Sequence, residues 1–164
     1  MFYLDLFSAL HRHRVDYVLI GGLAVSLHGI ERATMDIDIS IALTPANTAA
    51  LIDAAQELRL QPVLPVALET LADTGQLERW RNERNLLAFA LGTPDIAGVT
   101  VDILLFPEVS YPDLSARAIE LQVNQVPVRL ASIPDLIALK QAAARPIDLS
   151  DIEHLRKIQA SERS

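Results

Sequence analysis

The chain has 164 residues, of which 51% are hydrophobic and 21% charged; this excludes a disordered chain and suits one domain, 1–164, with a buried core. It has no cysteine, which excludes disulfides and thiolate metal sites. Its formal net charge of -7 excludes a broad nucleic-acid-coating surface, though a local patch can still hold an RNA end and metal ions can still hold phosphates. No apolar run reaches the roughly 18–20 residues that cross a membrane. The apolar N-terminus contains Asp5 and is followed, not preceded, by Arg12 and Arg14, opposite to a signal peptide. A cytoplasmic protein with no membrane contact is therefore expected.

Phe2 to His13 reads as an amphipathic helix with Phe2, Leu6, Ala9 and Leu10 on one stripe. Val15 to Ile20 reads as a buried strand that Gly21-Gly22 interrupts, and Leu23 to His28 as a short helix ended by Gly29. After a polar loop over 30–35, Asp36 to Ala42 alternates: Ile37, Ile39 and Ile41 face one way, Asp36, Asp38 and Ser40 the other. Thr44 caps a helix that has Pro45 at its first position and runs to about Leu58. Pro62 and Pro65 punctuate 61–66, and 67–84 reads as irregular helix. Leu86 to Leu91 and Val99 to Leu105 read as strands joined by a turn with Gly92, Pro94, Asp95 and Gly98. Tyr111 to Ala118 is a short helix, and the stretch to Leu130 a hairpin about Asn124-Gln125. A helical C-terminal part, about 132–160, holds one helix capped by Ser132 and stopped at Arg145-Pro146, and a second from Asp148 to Gln159. The class is α/β (α+β): a mixed sheet flanked by helices.

Three groups of residues point to chemistry. Gly21-Gly22 closes a strand and opens a helix, where close backbone approach and free N–H groups suit a phosphate; an ordinary strand-to-helix turn is the plain alternative. Asp36 and Asp38 share a strand face about 6.6 Å apart, a spacing that converges on one Mg²⁺ or on two ions roughly 3.5–4 Å apart. The plain alternative is a solvated strand, against which stands the repulsion of two like charges on one face. Asp102 lies in the apolar run Val99 to Leu105, where an unpaired buried carboxylate is costly; a metal ion, an activated hydroxyl or exposure at a sheet edge would each account for it.

The order strand, Gly-Gly, helix, Asp-x-Asp, distant Asp resembles the nucleotidyltransferase superfamily of the DNA polymerase β type. Gly21-Gly22-Leu23-Ala24-Val25-Ser26-Leu27-His28-Gly29, with Arg32-Ala33-Thr34-Met35-Asp36-Ile37-Asp38, is similar to the small bacterial AbiEii nucleotidyltransferases of type IV toxin–antitoxin systems. So is Leu136-Ile137-Ala138-Leu139-Lys140, with Ala144-Arg145, Asp148 and Asp151-Ile152. The likeness spans about 15–158, while 60–95 match no known pattern. It implies transfer of a nucleoside monophosphate from a triphosphate such as ATP to an acceptor hydroxyl, with release of pyrophosphate. Gly21 and Gly22 would hold the triphosphate with help from Ser26, Arg32, Thr34 and Lys140. Asp36, Asp38 and Asp102 would bind two Mg²⁺ or Mn²⁺ ions, and Asp102 would assist deprotonation. The acceptor would be an RNA or tRNA end, a protein hydroxyl or a small molecule such as an aminoglycoside, and the partner an antitoxin. The alternative is a non-catalytic nucleotide-binding or partner-binding module.

Other residues have plainer readings. Lys140 is equally a surface lysine with a packed stem, and Arg145 suits a helix end. His28 reads as a packed or capping histidine. Arg79, Trp80, Arg81 and Arg84 form a basic cluster with an aromatic, suited to a base and phosphates, although Glu78 and Glu83 among them favour a solvated helix face. Asp148, Asp151 and Glu153 suit the first turns of the last helix.

Overall fold

The computed structural model describes residues 2–30, 36–93 and 96–162. Among these residues seven strands form one mixed sheet: β1 (Tyr17–Ile20), β2 (Asp36–Ile41), β3 (Gln61–Pro62), β4 (Ala88–Thr93), β5 (Ile96–Leu104), β6 (Ile119–Val123) and β7 (Val126–Leu130). Their order is β3-β4-β5-β2-β1-β7-β6. β2 runs parallel to β5 and β1 parallel to β7, while the other neighbours are antiparallel. The alternation read in β2 is real: Ile37, Ile39 and Ile41 are buried, and they join Leu19, Phe89, Leu91, Val101 and Ile103 in one core.

Helices cover this sheet: α1 (Phe2–Arg12), α2 (Gly21–Leu27), α3 (Pro45–Glu57), α4 (Thr74–Glu83), α5 (Tyr111–Arg117), α6 (Ile133–Ala143) and α7 (Pro146–Glu162). α1 lies against β7 and α3, with Phe7 stacked on Tyr17 at a centroid distance of 5.9 Å. Thr44 caps α3 by accepting from Asn47 N at 3.2 Å, and Ser132 caps α6 by accepting from Asp135 N at 3.3 Å, as their positions lead one to expect. The hairpin forms about Asn124 and Gln125, whose φ values of 49° and 68° are the left-handed pair that a two-residue turn between twisted strands requires.

Several boundaries depart from the sequence reading. β1 starts at Tyr17 rather than Val15, and α2 starts at Gly21 rather than Leu23. The stretch 67–84 divides into a 3₁₀ turn, Leu68–Ala72, and α4, because the Asp73 side chain accepts from Gln76 N at 3.0 Å and caps a new helix. Residues 61–66 supply the short edge strand β3, where Pro62 is tolerated because one edge has no strand neighbour. β5 begins at Ile96, three residues before Val99. Pro94 and Asp95 of the expected turn lie outside the described residues. Among the described residues no helix is long and apolar enough to cross a membrane.

Asn47, which carried no signal in the sequence, ties β1 to β2. Buried on α3, it accepts from Asp16 N at 2.7 Å and donates to the carbonyls of Asp16 at 2.9 Å and Ala42 at 2.8 Å. Removing it leaves these backbone groups without a side-chain partner, each loss costing about 1–3 kcal/mol if water cannot replace it. We expect Asn47→Ala to lower unfolding stability by about 2–4 kcal/mol, read as a lower denaturant midpoint at unchanged slope.

Candidate active site

Two strands and one turn build the site. In the parallel pair β2–β5, Asp36 lies opposite Thr100 and Asp38 opposite Asp102. On its other side Asp38 lies opposite Ile20, the residue before the diglycine. Three carboxylates from two distant segments thus reach one patch of sheet, beside the bend. Asp36 is exposed and accepts from Thr100 Oγ1 at 2.9 Å. Asp38 and Asp102 are partly buried and hydrogen-bonded to each other.

Gly21 is required here for two reasons. Its φ of 75° is left-handed. A Cβ built on it would run into Asp38 Oδ2 and lie 2.9 Å from both Cβ and Cγ of Asp38. The bend therefore makes room first for a carboxylate of its own chain.

The carboxylates act on one another. Burial, the charges of Asp102 and Asp36 and the hydrogen bond with Asp102 push the Asp38 pKa to about 7, against a pull downward from Lys140. Asp102 is also raised, by burial and by Asp36, while hydrogen bonds with Thr100 and Asp38 oppose the rise. Both carboxyls are thus held above the ordinary carboxylate range by burial and by like charge. Their donor set, carboxylate oxygen alone, matches what hard divalent cations take. Among the described residues, no three acidic or histidine side chains as they stand converge closely enough to enclose one ion; Asp36 turns toward Thr100 instead.

A cleft of about 740 Å³ opens over the carboxylates. Gly21, Gly22, Asp36, Asp38, Asp102 and Lys140 all line it. Lys140 is not a surface lysine. It is 6% exposed, with Nζ 3.3 Å from Asp148 Oδ1 and 3.1 Å from Asp151 Oδ2. Asp148 also accepts from Arg145 Nε at 2.7 Å and from its backbone N at 3.1 Å. Burial alone would raise the Asp148 pKa, yet Arg145 and Lys140 outweigh it and hold it at about 2. Asp148 and Asp151 sit in the first turns of α7, as the helix dipole favours, but they are buried partners of Lys140 rather than solvated acids. The signal was present as an i, i+3 acidic pair, which shares one helix face, eight and eleven residues beyond the lysine. Ala144 makes the contact possible, since its left-handed φ of 51° ends α6 so that Pro146 can start α7.

Other candidates fall elsewhere. Ser26 does not line the cleft; its Oγ donates to Gly22 O at 3.2 Å, within α2. Arg32 and Thr34 lie outside the described residues. His28 follows α2 and its Nε2 meets Ala131 O at 2.9 Å, a structural contact. Trp80 packs partly buried against the core, so within the basic cluster it is Arg81 that reaches the cleft. Leu87 and Phe106, which the sequence reading did not single out, also line the cleft.

Residues 5–159 match the family model described as nucleotidyl transferase AbiEii toxin, type IV TA system. No curated protein matches the sequence. Among solved structures the chain resembles the lincosamide antibiotic adenylyltransferase LnuA in its lincomycin-bound form, at 16% identity and a TM-score of 0.59, over 96% of this chain and 94% of that one. It also resembles the antibiotic-resistance factor ANT(2'')-Ia in solution, at 15% identity and a TM-score of 0.55, over 96% and 80%. The same factor in complex with adenylyl-2''-tobramycin matches at 14% identity and a TM-score of 0.53, over 99% and 95%. At these identities the structural likeness shows a shared nucleotidyltransferase fold. With the family model matched along nearly its whole length, the chain belongs to the AbiEii nucleotidyltransferase family.

Proposed function

We propose that this nucleotidyltransferase is metal-dependent and uses Asp36, Asp38 and Asp102 as its catalytic carboxylates, the toxin component of a pair whose antitoxin restrains it. The observation that carries the site assignment is the register that sets Asp38 against Asp102, one residue pair from the diglycine bend. Gly21 and Gly22, at the head of α2, face the triphosphate. Lys140, held by Asp148 and Asp151, lines the same cleft and meets the phosphates there, as does Arg145.

The acceptor hydroxyl oxygen forms a bond to the α-phosphorus as the bond from that phosphorus to the pyrophosphate oxygen breaks. The hydroxyl proton passes to Asp102, whose carboxylate stands half-buried beside Asp38. Two Mg²⁺ or Mn²⁺ ions, held by the three carboxylates, would supply charge neutralisation at the attacking and leaving oxygens. Closing Asp36 toward the other two requires it to leave Thr100. Most of the remaining task is positioning, which the sheet performs by fixing both strands. A non-catalytic module has less support, because it would not need three acids gathered beside one cleft. The acceptor is a hydroxyl on an RNA end, a protein or a small molecule.

With Mg²⁺ and labelled triphosphates, we expect the purified protein to label an acceptor among total cellular RNA, protein and aminoglycosides. Asp36→Ala and Asp38→Ala should each reduce labelling by at least about 100-fold, the range for removing a charge-stabilising group; full labelling by both variants would refute the assignment. Gly21→Ala should reduce it comparably by displacing the Asp38 carboxylate, and wild-type rates in that variant would show that the bend is not tight.

Stability gives a readout free of turnover. Because the folded Asp38 pKa of about 7 lies above its ordinary value of 3.8, this group favours folding below about pH 4 and the benefit is lost as pH rises through about 7. In chelator at about pH 8, Asp38→Asn should therefore melt higher than wild type, and the gap should shrink as pH falls. Mg²⁺ should raise the melting temperature of wild type and leave Asp36→Ala unmoved; an equal rise in both would place the ion elsewhere.

A further inference from the structure

Thr100 touches the carboxylates without lining the cleft. It stands opposite Asp36 in the β2–β5 register, on the strand face that Asp38 and Asp102 share. Its Oγ1 donates to Asp36 Oδ1 at 2.9 Å, and it is also hydrogen-bonded with Asp102. Across the β4–β5 ladder its neighbour is Gly92, and that of Asp102 is Ala90. Neither offers a polar side chain, so the acids that meet this hydroxyl come from β2 and from β5 itself.

Asp36 is exposed, so packing does not fix the direction of its carboxylate, and a hydrogen bond can. Three like charges brought together repel one another in the absence of a cation. Turning Asp36 to the hydroxyl keeps it from closing on Asp38 and Asp102, and among the described residues no three acids as they stand enclose an ion. Asp36 thus has two positions, one on Thr100 and one gathered with the other two acids. A ligand that needs the second position binds with an apparent affinity reduced in proportion to the fraction of molecules that hold it. Leaving Thr100 costs about one hydrogen bond. It does not strand the hydroxyl, whose single proton can then go to Asp102.

We propose that Thr100 is a latch on the ion site: its hydroxyl holds Asp36 away from Asp38 and Asp102 until a divalent cation gathers the three. The proposal rests on the reading above of these carboxylates as the ion's ligands. Thr100 is a positioning residue, because it acts through Asp36 and does not line the cleft. The consequence is opposite in sign to that of an ordinary supporting hydrogen bond, whose removal weakens metal binding by about 10- to 100-fold. Without the hydroxyl the gathered arrangement is more populated, and the ion binds more tightly.

The test is titration of the full chain with Mn²⁺ in the absence of triphosphate, the free ion being read by its electron paramagnetic resonance. Thr100→Val keeps the branched shape that suits a strand and removes the hydroxyl. It should bind Mn²⁺ about 3- to 10-fold more tightly, the equilibrium equivalent of one net hydrogen bond. Thr100→Ala, a second variant without the hydroxyl, should do the same, and Thr100→Ser, which keeps it, should bind as wild type does. Melting temperatures check that each variant is folded. Unchanged or weaker binding in a folded variant without the hydroxyl overturns the latch, as does equal tightening in Thr100→Ser. Wild type and Asp36→Ala binding Mn²⁺ alike would refute the carboxylate assignment itself. A loss of binding in Asp36→Ala with no gain in Thr100→Val would refute the latch alone.

Discussion

The parallel pairing of β2 with β5 is the constraint on which the site depends. It sets Asp38 across from Asp102 and, through β1, beside Ile20 and the diglycine bend. Side chains in a strand have a period of two, so a slip of one residue would send Asp36 and Asp38 into the core and bring Ile37 and Ile39 out to the cleft. The buried isoleucines of β2 prevent that slip. The core that makes the sheet stable is therefore also what aims the carboxylates.

This arrangement opposes folding locally. Three acids share one patch, two of them partly withdrawn from water, and the raised pKa values of Asp38 and Asp102 record the cost. A patch of this kind gains from positive charge brought by a ligand. It also limits how the chain can vary nearby: Gly21 has no space for a side chain because the Asp38 carboxylate fills it. The turn and the carboxylate are one feature of the site rather than two.

The α6–α7 corner uses buried charge differently. Lys140, Asp148 and Asp151 are all nearly inaccessible, and the i, i+3 spacing of the two acids lets both reach one ammonium. Buried ion pairs add little net stability because desolvation offsets their attraction, but losing one partner is costly. Their effect is to fix the α6–α7 corner, and with it the position of Lys140 in the cleft. Arg145 extends this network to the exposed rim, where it contacts Asp148 through side chain and backbone. Much of the local geometry thus follows from a single left-handed residue, Ala144.

Local rules suffice for part of this molecule. The period-2 run of β2, the Thr44 and Ser132 caps, the Asn124-Gln125 turn and the spacing of Gly21-Gly22 from Asp36 and Asp38 are each set by neighbouring residues, whose conformational preferences act within a few positions. Those features determine most elements and nominate three acids and a diglycine. The tertiary structure decided the rest, because it depends on partners distant in the chain. Strand order turned Asp102 toward Asp38, and a helix corner buried Lys140 between Asp148 and Asp151. Packing set Trp80 against the core and left Phe106 and Arg81 lining the cleft, while Ser26 bonds within α2. Asn47 shows why such facts are not local: its three hydrogen bonds reach backbone flanking two strands, two of them to Asp16, 31 residues away. A residue's type and near neighbours set its preferred backbone, but burial and charge pairing exist only once separate segments have packed together.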